Sequence, residues 1–416
     1  MTFTPEELDT QPSDVREKLL FADFPARLKA AAASCSGLAQ HLAAHSLEGV
    51  NSREQLAQLP VLRKTALMEA QQSSPPFGGF VDIAALRGSR IFMSPGPVWE
   101  PQLITSDPWQ SARALRAAGF AAGDIIHNAF SYHMTPGGFI LDEGARALGC
   151  IVFPAGVGNT EAQVTAIRHT QAVAYVGTPD YLQTLLDHAV DSGSPLSSIR
   201  RALVSGGALF PAMRDAYRNA GIQVLQCYAT ADLGTIAYES ETDGQVNAGM
   251  LVNEDLIVEI VQPGSGEPVA AGEIGEVVVT RLNPVYPLLR FATGDLSAFI
   301  DEPSPCGRTA PRIKGWLGRA DQRTKVRGMF VDPEQVQAVK NEHDDIERVR
   351  LVVQRDGNRD TMRLDVVLKA GADASAAAAA NMADTLKRTC NIAGSIEFVE
   401  SLKNDGLVIE DKRDYE

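Results

Sequence analysis

The residues best suited to do chemistry crowd into positions 286–334. In Arg290-Phe291-Ala292-Thr293-Gly294-Asp295 a carboxylate follows a Thr-Gly turn at the end of an apolar run. A carboxylate so placed can accept both hydroxyls of a ribose. The same Gly-Asp pair is also ordinary vocabulary for a hairpin turn. About 24 residues later, the stretch 318–328 (GRADQRTKVRG) sets five charged side chains between two glycines. Arg319 and Arg327 present planar guanidinium groups that match phosphate or ribose oxygens bidentately. A solvated linker between domains is the alternative. The two fragments in this order point to a nucleotide more strongly than either does alone.

The elements that must position them follow from the apolar pattern. Short β-rich runs at 150–156, 172–179, 201–208 and 222–229 end in Gly, Pro or polar residues, and helical stretches separate them. That alternation predicts a parallel or mixed sheet with helices on its faces. Ligands in such sheets bind beyond the C-terminal strand ends, which makes the Gly-rich endings candidate site walls. From 255 to 300 the pattern becomes antiparallel, and 301–312 reads as a Pro-rich loop. Beyond it a helix at 333–343, two strands, a helix through the alanine run 376–380 and a last strand in GSIEFVES predict a small α+β domain. Residues 12–45 read as helical, with His41 and His45 four apart on one helix face and no third ligand to make a metal site.

Composition excludes several functions. The 416 residues carry 38 Lys and Arg against 52 Asp and Glu, a net charge of −14, which disfavours nucleic acid or an anionic membrane as the main partner. Five scattered cysteines without a C-x-x-C pair suit reduced thiols in a cytoplasm. There is no signal-peptide pattern at the N-terminus and no apolar run long enough for a membrane span. Gly156-Val157-Gly158 lacks the third glycine of a dinucleotide fingerprint, and no G-x-S-x-G nucleophile elbow is present.

The late motifs resemble those of the adenylate-forming acyl-CoA ligases, in their phenylacetate-CoA ligase-like branch. RFATGD is similar to the family's R-Y-R-T-G-D, and GRADQRTKVRGMFVDPEQVQ to its G-R-x-D-x-x-x-K-V-R-G-x-x-V-x-P-x-x-V. AGEIGEVVVT resembles its G-E-x-G-E-L-V-x-T strand pair. LPVLRKTALMEAQQSSPPFGGF and SYHMTPGGFILDEGARALGCIVFPAG resemble earlier segments of the branch. The resemblance implies an α/β fold: a large N-terminal adenylate-forming domain, 1–320, and a small mobile C-terminal α+β domain, 321–416. It implies that ATP and a carboxylic acid, aromatic or small, give an acyl-adenylate, which coenzyme A converts to a thioester. Asp295 would hold the AMP ribose, with Arg319 near ribose or phosphate and Asp321 as the hinge. Gly206, Gly207, Ala208 and Leu209 would flank the adenine, and Tyr228 would stack near it. Phe130, Tyr132, His133 and Gly137 fall where the family lines its acyl pocket; packing and loop roles are the alternatives there. A homodimer is the assembly the resemblance suggests.

Three departures cluster on the pyrophosphate side. The family's phosphate loop S-S-G-T-T-G-x-P-T here reads Ser94-Pro95-Gly96-Pro97-Val98-Trp99-Glu100-Pro101-Gln102. Ser94, Gly96 and Pro101 remain, but Glu100 stands where Lys is common. Such loops bind phosphate through backbone N–H groups and hydroxyls, and two new prolines remove donors. The family's Y-G-x-[ST]-E reads Tyr228-Ala229-Thr230-Ala231-Asp232, so Asp232 is the acid left to hold Mg²⁺. The family's C-terminal Gly-Lys reads Gly406-Leu407, with Lys403 or Lys412 as the substitute amine. These losses raise the alternative of a relative that binds AMP, acyl-adenylate or thioester without efficient ATP-driven adenylation. Of the zinc-binding Cys and His found in some members only Cys306 matches, so no zinc is expected.

Overall fold

A computed structural model of the chain describes residues 5–320, 322, 324–356, 359–369, 371–403 and 407–413. It has two compact units. The first comprises Met1–Thr293 and Ser297–Trp316, the second Gly294–Leu296 and Leu317–Glu416. The fold is α/β, as expected.

The first unit is organised by two sheets. Strand β1 (Leu62–Arg63) leads into the helix Lys64–Ser73, and β2 (Ile91–Ser94) and β3 (Val98–Pro101) form a separate hairpin. The main sheet has nine strands. Strands β4 (Ile125–Asn128), β5 (Ile151–Pro154), β6 (Ala174–Gly177), β7 (Arg201–Val204) and β8 (Gln223–Thr230) are parallel, in the order β5-β4-β6-β7-β8. Strand β9 (Gly234–Tyr238) adds antiparallel to β8, and Met250–Val252, Arg312–Ile313 and Phe299–Ile300 complete that side. The β-rich runs legible in the sequence are β5 to β8.

The connections explain where a cleft opens. From β4 the chain crosses to β5 on one side, and from β6 to β7 on the other. Because β4 and β6 are neighbours, their outgoing loops diverge, which is the switch point where open α/β sheets bind ligands. The helices between them, among them Gly137–Ala147 and Pro179–Asp191, bury an apolar stripe that includes Ile140, Leu141, Leu182 and Leu185.

The second sheet pairs Ile257–Val261, Gly275–Arg281 and Leu288–Ser297 with β1 at its edge, so the antiparallel reading of 255–300 holds. Arg290 is a fastener here. It is 2% exposed, donates from Nε to Glu259 at 3.1 Å, and caps the carbonyls of Ala57, Leu59 and Gly266. In the second unit, strands Ile346–Asp356 and Arg359–Leu368 are backed by the helices Pro333–Glu342 and Ala376–Cys390 over a core that includes Val336, Leu351, Leu364 and Leu386.

Two expectations need correction. The helical reading of 12–45 resolves into three helices, Ser13–Ala22, Phe24–Ser34 and Ser36–His41, and does not extend past His41. Pro25 has no N–H to continue the first helix and sits in the first turn of the second, where the missing donor is tolerated, so the first segment ends at Ala22. The third helix stops at His41, so His45 shares no helix face with it. Nor is GSIEFVES the last strand: Ile409–Asp411 follows and pairs parallel with Leu351–Val353.

Candidate active site

The strand ends build one wall. Ser205 donates its hydroxyl to the Cys227 carbonyl at 2.7 Å, fixing the loop after β7 against β8. Gly206 and Gly207 lie exposed beyond that pin, Ala208 is half-buried and Leu209 buried. Gly206 has φ +70°, a left-handed turn that favours glycine. The result is a bare backbone rim at the C-terminal ends of parallel strands, open to a flat ligand. Tyr228 on β8 is half-buried and packs against the neighbouring core.

The candidate acyl residues are gathered in the loop after β4. Asn128 shapes it by donating to the Gly138 carbonyl and accepting from the Phe130 N–H. Tyr132 is turned to the helix Gly137–Ala147: its hydroxyl donates to Asp142 at 2.8 Å and its ring meets Phe139 edge-on. A Cβ on Gly138 would lie 2.8 Å from that ring, so glycine is required there. Phe130 packs against the sheet core, while His133 is exposed and Gly137 begins the helix.

The altered phosphate loop is a closed hairpin. Phe92 pairs with Glu100 and Ser94 with Val98, so Gly96 sits in the tight turn. Gln71 clamps the second strand from both sides, donating to the Trp99 carbonyl at 2.8 Å and accepting from its N–H at 2.9 Å. Ser94, the hydroxyl retained in the motif, donates to Glu100 Oε1 at 2.7 Å.

Glu100 in turn reaches Asp232, which lies buried in the turn between β8 and β9. Burial, then the Asp232 charge, pushes the Glu100 carboxyl well above the ordinary carboxylate range, and Ser94 and Lys64 only partly oppose this. Lys64 Nζ lies 3.2 Å from Asp232 Oδ2. The buried Tyr286 hydroxyl completes the cluster; burial first, then Asp232 and Glu100, raises its pKa. Lys64 is the residue the motif reading passed over, although it lies in the quoted LPVLRKTALMEA segment. Its partner is 168 positions away, and no local spacing reveals that.

In the second unit, Asp295 and Arg319 meet as well as align. Their backbones form an antiparallel bridge and Arg319 Nη1 lies 3.0 Å from Asp295 Oδ1. The Leu296 N–H donates to the Gly318 carbonyl, and the Ala320 N–H to that of Gly294. Arg327 donates instead to the Asp360 carbonyl at 2.8 Å. Lys403 is exposed, its carbonyl accepting from Arg348 and Arg350. Lys412 Nζ is 3.6 Å from Glu410. Asp321 and Gly406 lie outside the described residues.

Cys306 adjoins Ser304 Oγ at 3.1 Å and Arg308 Nη1 at 3.5 Å. Burial opposes ionisation, but hydrogen bonds from Ser240, Ser304 and Arg308 bring this thiol down to about 7. Among the described residues no group of three His, Cys, Asp or Glu side chains gathers as a metal site. No helix among them is long and apolar enough to cross a membrane.

This geometry has relatives. The AMP-binding enzyme family model matches residues 110–283. A phenylacetate-coenzyme A ligase of Thermus thermophilus is 31% identical over 331 residues, 77% of this chain and 73% of that one. The chain belongs to the phenylacetate-CoA ligase branch of the adenylate-forming enzymes. The phenylacetate-coenzyme A ligase of Escherichia coli K12 is 31% identical over 294 residues, covering 67% of this chain and 66% of its own. Among solved structures, 2-hydroxyisobutyryl-CoA ligase in complex with 2-HIB-AMP and CoA superposes with a TM-score of 0.79 at 23% identity, over 99% of this chain and 92% of that one. That likeness is one of fold.

Proposed function

We propose that the chain is an AMP-forming carboxylate–CoA ligase acting on an aromatic or small organic acid. In the first half-reaction an acid oxygen attacks the α-phosphorus of ATP and pyrophosphate leaves. In the second, the CoA thiol attacks the acyl carbon and AMP leaves. The observation that carries this reading is the exposed Gly206–Gly207 rim, pinned to β8 by Ser205 at the strand ends of the sheet. Adenine lies on that rim in this reading, with Ala208 beside it and Tyr228 flanking.

The same reading gives Asp295 and Arg319 the ribose and phosphate, and Asp321 the hinge between domains 1–320 and 321–416. Asp232 would meet the Mg²⁺ of the incoming nucleotide, and Lys403 or Lys412 would bring the amine that offsets charge in adenylation. Phe130, Tyr132, His133 and Gly137 border the acid. The enzyme works in the cytoplasm as a homodimer, without a structural zinc.

A specific observation favours a second reading, in which ATP-driven adenylation is weak. Ser94, which would otherwise serve a phosphate, is bonded to Glu100. The test separates the halves: thioester formation is measured from acid, Mg·ATP and CoA, and separately from synthetic acyl-adenylate and CoA. Product in both supports the ligase. Product from the adenylate alone supports the second reading. No product in either, over a panel of aryl and short acids, rejects both.

A further inference from the structure

The hairpin of β2 and β3 has two faces. Phe92, Ser94, Val98 and Glu100 alternate onto the buried one. The other carries Ile91, Met93 and Trp99, and the Trp99 side chain is 40% exposed. Met93 pairs with Trp99, yet the Met93 N–H donates outward to the Met134 carbonyl at 2.7 Å, and Trp99 turns both its backbone groups to Gln71. The pair is therefore a non-hydrogen-bonded one, the geometry that brings facing side chains closest. The bond to Met134 joins the hairpin to the loop after β4. There the Thr135 N–H donates to the His133 carbonyl at 2.8 Å, which makes a γ-turn centred on Met134. Met134 has φ +64°, the strained form of that turn. Its side chain is 65% exposed, and His133 beside it is exposed too. A strained turn thus holds a flexible thioether in solvent, beside a hairpin that presents an open indole.

We propose that Trp99, Met93 and Met134 form the platform on which the apolar group of the acid lies, and that they set the preference for an aryl ring over a short alkyl chain. This rests on the ligase reading, with the acid beside the loop after β4. Three features say what covers the surface. It borders the outgoing loop of β4, at the switch point of the sheet where small ligands bind. Its few side chains fall far short of the roughly 20–30 residues a side of a stable protein interface. An indole face flanked by thioethers suits a flat π-system, because methionine adapts to the outline of its partner. Phe130 and Tyr132 offer less: Phe130 packs on the sheet core, and the Tyr132 hydroxyl is held by Asp142. Trp99 stands where the family's loop S-S-G-T-T-G-x-P-T has its last glycine, so the platform belongs to this chain and not to the motif.

Two measurements test this. The first compares phenylacetate with butyrate, each supplied as the acid with Mg·ATP and CoA and as the synthetic adenylate with CoA. Trp99→Ala and Met134→Gly each lower the aryl-to-alkyl ratio of kcat/KM by about tenfold, chiefly through KM for phenylacetate, the scale of one aromatic contact. Met134→Gly also relieves the backbone strain, so its melting temperature does not fall, which separates a lost contact from a lost fold. The second is a tryptophan fluorescence titration with phenylacetate. The emission of wild type shifts to the blue as Trp99 is covered, and that of Trp99→Phe does not. An unchanged ratio in both variants, or wild-type turnover of butyrate alone, overturns the platform and leaves the ligase reading standing. A wild-type dimer that dissociates in Trp99→Ala gives the face to a second copy and overturns the platform as well. No thioester from either acid or adenylate in wild type defeats the ligase reading. The fluorescence then decides the platform by itself: a shift that Trp99→Phe lacks upholds it, and no shift overturns it.

Discussion

Asp295–Arg319 and Glu100–Asp232 are both buried pairs at motif positions, and they differ in how charge is settled. Asp295 meets a cation of its own unit at 3.0 Å, with backbone bonds on either side holding the two strands together. Glu100 meets another acid, and the one cation nearby, Lys64, stands on the far oxygen of that acid. The first pair is complete as a salt bridge. The second sets two acids together, and burial and then the Asp232 charge push the Glu100 carboxyl upward. A motif read letter by letter ranks Glu100 as a loss. In the fold it accepts from Ser94 and stands near Asp232, whose cation is Lys64, a different way of placing charge beside the sheet.

The largest expected effect comes from the substitution that the motif alone would recommend. Glu100→Lys restores the usual residue but sets a second ammonium beside Lys64 in a buried site. We expect a loss of about 3 kcal/mol or more, read by urea denaturation. Unchanged stability would show that Lys64 and position 100 are electrostatically independent.

Lys64→Met should follow at about 2 kcal/mol, since Asp232 is left buried without its cation while Lys64 itself is partly solvated. A wild-type melting temperature for this variant would mean the ion pair contributes nothing.

Glu100→Gln should change the pH profile more than the midpoint. Burial and the Asp232 charge hold the Glu100 carboxyl well above the range in which the unfolded chain ionises it. Wild-type stability therefore falls as pH rises above that range, and the glutamine variant should escape about 1–2 kcal/mol of this loss by pH 8. Parallel profiles for the two proteins would contradict a retained proton.

Arg319→Ala should be milder for folding, under about 1.5 kcal/mol, because both side chains of this largely buried pair keep some contact with solvent. If the nucleotide reading holds, it weakens AMP by about tenfold, the scale of one charge-assisted contact. Smallest is His133→Ala, within about 0.5 kcal/mol because the side chain is exposed. A rise in KM for the acid without a change in kcat would mark it as a pocket residue, and no change would mark it as loop.

Much of this was legible in the sequence where the signal is local. The strand endings at 201–208 and 222–229 gave the sheet and its rim, and the two fragments around Asp295 and Arg319 did converge. The break before Phe24 is readable at Pro25, while the one at Cys35 carries no proline and apolar spacing runs through it. The strand Ile409–Asp411 is only three residues long, too short for a periodic signal. The Glu100 cluster was half legible. The wrong charge was visible, but its partners come from residues 64, 94 and 232, and distant pairings carry no sequence period. Tyr132 was expected among the acyl-pocket residues, and its hydroxyl is already spent on Asp142, ten positions along.

Strand β1 is two residues long, and it pairs with Phe291 and Ala292 just before the helix that starts at Lys64. That short splice sets the rotational phase of the helix. Each residue advances a helix by about 100°. One residue inserted between Arg63 and Lys64 would therefore swing the ammonium to another face, away from Asp232. Insertions in the loop 42–52, upstream of the splice, would leave it where it is. Length variation along this part of the chain is thus graded by position: open in the loop 42–52, restricted where Arg290 holds the carbonyls of Ala57 and Leu59, and closed between Leu62 and Lys64.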